Sequence, residues 1–133
     1  NLAANRYDTA PVELAMKFFK NVAVELPVIP ADMDKLQAMV LRLDSLGVPF
    51  LNIHELFACR ENRDRLDQSG FASTGAGSRH LFWEPVAGGD EACLELLGFA
   101  LRNTKTLSVY YCSCRTQELI SKRGLARRKR RAA

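Results

Sequence analysis

The segment Gly47 to Leu56, GVPFLNIHEL, sets Asn52, His54 and Glu55 among Leu51, Ile53 and Leu56. An amide, an imidazole and a carboxylate inside an apolar strand must find hydrogen-bond partners or cost free energy. A histidine beside a carboxylate can act as general base or metal ligand; the plainer alternative is a strand-end histidine bonded to a loop carbonyl. Glu25 poses the same problem between Val24 and Leu26. It needs a cation or a hydrogen-bond donor, or its pKa rises, and both a structural ion pair and a ligand contact remain open. Cys112 and Cys114 are two residues apart, so a strand would project both thiols from one face. With Cys59 or His80 they could hold zinc, although the pair lacks the Cys-x2-Cys knuckle spacing and free cysteine is a common core residue.

Two further stretches bear on ligands. PVAGGDE leads two glycines into a helix start, where free N–H groups can hold a carboxylate or phosphate. An ordinary tight loop ahead of a capped helix explains it equally simply. KRGLARRKRR is a basic run, suited to an acidic surface or to the C-terminal dipole of a solvated helix. No aromatic residue interleaves with its arginines, so no platform for stacking bases is present, which argues against nucleic acid as partner.

The elements that must position these residues alternate between helix and strand. Asp8 to Pro11 offers a cap and a first-turn proline before VELAMKFFK, with Val12, Ala15, Phe18 and Phe19 as its inner stripe. VAVELPVIP, Val22 to Pro30, reads as a strand covered on both faces, its ladder ending near Leu26 because of Pro27. Asp32 opens an amphipathic helix, with Met33, Leu36, Val40, Leu43 and Leu46 as its stripe and Gly47 as its stop. VPFLNIHEL follows as a strand starting 26 residues after the first, the spacing of a right-handed βαβ unit. Arg60 to Gly70 is a short polar helix at most. Residues 72–89 form a glycine-rich connection with one short strand at His80 to Trp83 or Glu84 to Ala87. Asp90 caps a further helix, EACLELLGFALRN. Thr106 to Cys114 is a third strand, and the chain finishes as a helix fraying into its basic end.

This order predicts an α/β fold with a parallel sheet, part of a (β/α) barrel. Such architectures collect chemistry at the C-terminal ends of strands, where Glu25, His54, Glu55, Cys112 and Cys114 fall. The 133 residues bound a single domain or part of one, read as an α/β segment over 1–121 and a basic tail over 122–133. From Arg115 onward eight Lys/Arg and one acid give +7, so the first 114 residues carry −3 of the total +4. An apolar fraction of 47% excludes disorder, and no run approaches the roughly 18 apolar residues of a membrane span. With no export leader apparent, four reduced cysteines and a cytoplasmic location are the expectation.

Several of these segments, taken in order, match one family. VAVELPVIP, LDSLGVPFLNIHEL, ENRDRLDQSGF, PVAGGDEACLELL and VYYCSCRTQELISKR together resemble the C-terminal part of radical SAM proteins related to pyruvate formate-lyase activating enzyme. The resemblance covers roughly residues 8 to 125. It implies a partial (β/α) barrel and a [4Fe–4S] cluster that binds S-adenosylmethionine and cleaves it to a 5′-deoxyadenosyl radical. Glu25, Asn52 and Glu55 match polar positions of the family's strands. Cys112 and Ser113 match its last strand motif. The resemblance therefore implies Glu25, Asn52, Glu55 and Ser113 as cofactor-binding residues. His54 stands where asparagine is usual and inherits no role. The Cys-x3-Cys-x2-Cys loop that ligates the cluster is not in this sequence. The expectation is thus a cavity-wall segment, not catalytic alone, whose cluster is held by a missing N-terminal half or a second chain. The alternative is a small α/β interaction module whose basic tail docks an acidic partner.

Overall fold

The computed structural model describes residues 6–75 and 83–132, with side chains in the last helix described to position 128. Three strands, β1 (Ala23–Val28), β2 (Phe50–Glu55) and β5 (Ser108–Cys112), form a sheet in the order β1-β2-β5. Both pairings are parallel. Between them run α2 (Met33–Ser45), entered through a 3-10 turn at Pro30–Asp32, and α4 (Gly89–Asn103). A second, small sheet pairs β3 (Phe57–Cys59) antiparallel with β4 (Trp83–Pro85), and α3 (Arg63–Gln68) lies between these two strands in sequence. The chain opens with α1 (Ala10–Met16) and closes with α5 (Cys114–Ala132). The chain is thus an α/β unit built on a parallel sheet.

Each crossover of the parallel sheet steps in the same direction, so right-handed connections place their helices on one face. The burial pattern follows. Val24, Leu26 and Val28 of β1 and Leu51 and Ile53 of β2 pack with Leu36, Val40 and Leu43 of α2 and Cys93, Leu96 and Ala100 of α4. Val12 of α1 joins the same core. The other face carries Ala23 and Glu25, Phe50, Asn52 and His54, and Ser108, Tyr110 and Cys112, none of them buried.

This corrects the expectation that β1 is covered on both faces: its alternate residues Ala23 and Glu25 are exposed. Nor does the ladder stop at Leu26. Pro27 pairs opposite His54 and the strand continues to Val28, which is possible because β1 is an edge strand. The inner stripe of α1 is also shorter than expected. The helix ends at Met16, and Phe18 and Phe19 lie beyond it, both exposed. Asp90 sits inside the first turn of α4, whose cap is Gly88 at φ 76, and its carboxylate instead accepts the Tyr111 hydroxyl. β4 spans the boundary between the two placements expected for it, and His80 lies outside the described residues.

One carboxylate ties the helical layer to the sheet, and another ties two helices together. Asp44, near the end of α2, accepts the backbone N–H groups of Lys105, Thr106 and Leu107 at 2.9 to 3.2 Å, locking the turn that enters β5. These N–H donors, Thr106 foremost, hold its carboxyl below the usual range. Glu13 of α1 pairs with Arg42 of α2 at 3.0 Å.

Candidate functional site

The C-terminal ends of β1 and β2, the start of β3 and the first turns of α5 enclose a cavity of about 430 Å³. Glu25, Pro27, His54, Glu55, Leu56, Phe57, Asn62 and Gln117 line it. Its size falls within the range of small-molecule pockets. Among the described residues no lysine or arginine lines it and the Glu25 carboxylate is exposed at its wall, so its field favours a ligand bearing positive charge.

Strand alternation explains why Glu25 and His54 reach it; Asn52, on the same face, does not line it. Glu25 and Asn52 are register partners on the uncovered face, and His54 lies two residues beyond Asn52, flanked in register by Pro27 and Cys112. The Glu25 side chain is 63% exposed, so it is a surface carboxylate rather than the buried ion-pair member that its apolar neighbours suggest. Its nearest basic atom is His54 Nε2, at 3.9 Å from Oε1. That distance is too long for a hydrogen bond, and among the described residues the buried Nε2 has no hydrogen-bond partner. Rotation of the exposed Glu25 carboxylate by about 1 Å closes the pair to hydrogen-bond length. Asn62 is already committed: its Oδ1 accepts from Cys59 N–H at 2.7 Å and its Nδ2 donates to the Phe57 carbonyl at 3.0 Å. It braces the β3 turn that forms one wall. Phe57 stacks obliquely on Trp83, with ring centroids 5.1 Å apart.

Glu55 points to the opposite face of β2 from Asn52 and His54, as the period of two requires. It is the buried charged residue of the molecule's described part. Its Oε2 accepts the Cys114 N–H at 2.7 Å, and the Cys114 thiol also donates to it. Ser113 caps the same helix, its Oγ accepting Thr116 N–H at 3.1 Å while its carbonyl accepts Gln117 N–H. A carboxylate and a serine thus fix the first turn of α5, where negative charge complements the helix dipole. The position before this turn is tight as well. Gly89, at the start of α4, lies where an added Cβ would stand 3.4 Å from Glu55 Cγ. Gly89 of PVAGGDE therefore packs against β2, while Gly88, with open space around it, supplies the left-handed φ that starts α4.

Cys112 and Cys114 do not project side by side. β5 ends at Cys112, which receives a hydrogen bond from Gln117, and Cys114 is the first residue of α5, turned to Glu55. Burial, followed by the Glu55 carboxylate, pushes the thiols of Cys93 and Cys114 up to about 12, and burial raises Cys112 also. Among the described residues no three His, Cys, Asp or Glu side chains gather in a metal-holding group. Zinc at the Cys112–Cys114 pair, raised by spacing alone, is not supported by this geometry. Tyr111, bonded to Asp90, is raised by its burial and by that bond.

The residues expected together at the strand ends are divided: Glu25, Asn52 and His54 share the uncovered face, whereas the Glu55 side chain turns to the covered one. The sequence did not show that Glu55 and Ser113 meet at the start of α5, or that Gln117 and Phe57 complete the cavity. Glu55 and Cys114 are 59 residues apart, and no local signal links them.

No helix among the described residues is long and apolar enough to cross a membrane. No family model, curated protein or solved structure matches the chain.

Proposed function

We propose that this chain forms part of the wall of a (β/α)-barrel cavity in a radical SAM-like enzyme, with S-adenosylmethionine as the ligand at the strand ends. The single observation behind this reading is the one-sided sheet. Consecutive parallel strands lie side by side with all their helices on one face, while the other face offers Glu25, Asn52 and His54. A doubly wound sheet would cover both faces; a barrel wall leaves its inner face for ligand and neighbouring strands.

The cluster of that family does not fit these residues. It needs three converging thiolates, whereas Cys93 lies in α4, Cys114 is at the start of α5 and turned to Glu55, Cys112 is engaged by Gln117, and Cys59 sits in the separate β3 strand. The cluster, and the radical chemistry with it, would come from a further N-terminal part or a second polypeptide. No step of that chemistry is assigned to these side chains. What the chain supplies is positioning. The Glu25 carboxylate accepts hydrogen bonds from a cationic or hydroxyl-bearing ligand, and the Asn52 amide beside it offers both donor and acceptor. Glu55 and Ser113 serve the same ligand by fixing the turn from β5 into α5, from which Gln117 reaches the cavity.

Equilibrium dialysis with labelled S-adenosylmethionine tests this directly. Saturable binding is expected. Glu25→Gln should weaken it about tenfold or more, the value of one charge-assisted hydrogen bond. Absence of saturable binding, or binding indifferent to Glu25→Gln, overturns the proposal.

A further inference from the structure

We propose that α5 is an arm that grips the phosphate backbone of duplex nucleic acid without reading its sequence. This goes beyond the cavity and does not depend on what the cavity binds. Glu55 and Ser113 anchor the first turn, and the helix then leaves the body: Leu119, Ile120 and Leu125 are all exposed, as are Arg123, Arg127 and Arg128. An element that packed on the domain would bury its leucines first.

Charge selects the partner. Residues 115–133 hold eight Lys/Arg and one Glu, eight minus one giving +7, while residues 1–114 sum to −3. A polyanion is thus drawn to the arm and repelled by the body. The placement of the charges narrows the choice further. At about 100° per residue, Arg123, Arg127 and Arg128 are spread round the helix, and Lys122, paired with Glu118 at 2.6 Å, lies on the remaining side. Leu119 and Leu125 stand about 120° apart, so no common apolar face exists for lipid or for a hydrophobic protein groove. A cylinder about 10–12 Å across, basic all round, matches a groove about 12 Å wide with phosphates on both rims. Phosphate contact needs no aromatic residue; only base stacking does. The composition that argues against base recognition is therefore compatible with backbone binding.

Fluorescence anisotropy of the full chain with a labelled DNA duplex of about two helical turns is the test. Binding at about 0.15 M salt is expected, with log K falling against log salt at a slope no steeper than about −6, from seven net charges at 0.9 each. Replacing Arg123, Arg127 and Arg128 together by Gln should flatten the slope by about 2.7 and weaken binding about hundredfold at that salt. The triple Lys variant should keep the slope, and Arg102→Gln on α4 should change nothing. Circular dichroism confirms that the variants remain folded. The proposal is overturned by absence of binding at about 0.15 M salt, by a slope unchanged in the Gln variant, or by tighter binding to phosphatidylserine vesicles or polyglutamate than to the duplex.

Discussion

Along β2, Leu51, Ile53 and Glu55 alternate with Phe50, Asn52 and His54, and the two sets meet different surroundings. The first set lies under α2 and α4 and is buried; the second is half-covered or exposed. Both come from the same six residues, so propensity and sequence neighbourhood cannot account for the difference. What separates them is the direction of the crossovers, which stacks α2 and α4 on one side. The covered face supplies stability by removing apolar surface from water. The other face is left free to carry amide, imidazole and carboxylate groups that a closed core would penalise. Glu55 is the exception that clarifies the rule. It is a carboxylate on the covered face, and it is tolerated there because the N-terminus of α5 supplies its hydrogen bonds.

The largest expected effect tests that division. Ile53→Ala, at a fully buried position, should cost about 2–5 kcal/mol in urea unfolding. Phe50→Ala, three residues earlier on the open face and 46% exposed, should cost far less. Equal losses would mean that the second face is packed too. Next comes Glu55→Ala, which leaves the Cys114 N–H buried without an acceptor and should cost about 1–3 kcal/mol. Hydrogen exchange should locate the loss in the first turn of α5, whereas a loss spread evenly over α2 would place the anchor elsewhere.

A smaller effect is expected from acid. The Asp44 carboxyl is held below its ordinary value of 3.8 by the N–H groups of Thr106, Lys105 and Leu107. Its contribution is therefore complete above that ordinary value and is lost as pH falls through the lowered folded-state pKa. Asp44→Asn should lower Tm near neutrality and flatten its fall in this acid window relative to the parent. Parallel curves would show that the turn into β5 does not depend on the charge. The smallest stability change belongs to the open face. Glu25→Gln and Asn52→Ala should move unfolding by no more than about 0.5 kcal/mol, yet both should impair ligand binding.

The layout of β1, α2, β2, α4 and β5 was legible because each is long enough to show its period, and Leu36, Val40 and Leu43 mark one helical stripe without ambiguity. The side-by-side parallel order followed from alternation. What escaped was non-local or short. β3 and β4 hold three residues each, too few for a period, and owe their pairing to neighbours such as the Phe57–Trp83 contact. Phe18 and Phe19 look like a continuing helical stripe, but the helix stops at Met16. Cys114 looked like a strand residue until the Ser113 cap started a helix one position earlier than spacing suggested. Of the candidate site, alternation along β2 sets Asn52 and His54 apart from Glu55, but that Glu25 of β1 stands in register with Asn52 was not legible, because register is set by strand pairing. Nor was Glu55's partner, because only the fold brings residues 59 apart into contact.

The central claim is that the uncovered face of the parallel sheet is a ligand-bearing wall. Backbone amide chemical shifts followed during titration with S-adenosylmethionine test it most directly. Saturating shifts are expected around Glu25, Asn52, His54 and Gln117, with the outer surfaces of α2 and α4 unmoved. Shifts confined to those helices, or none at all, would contradict it.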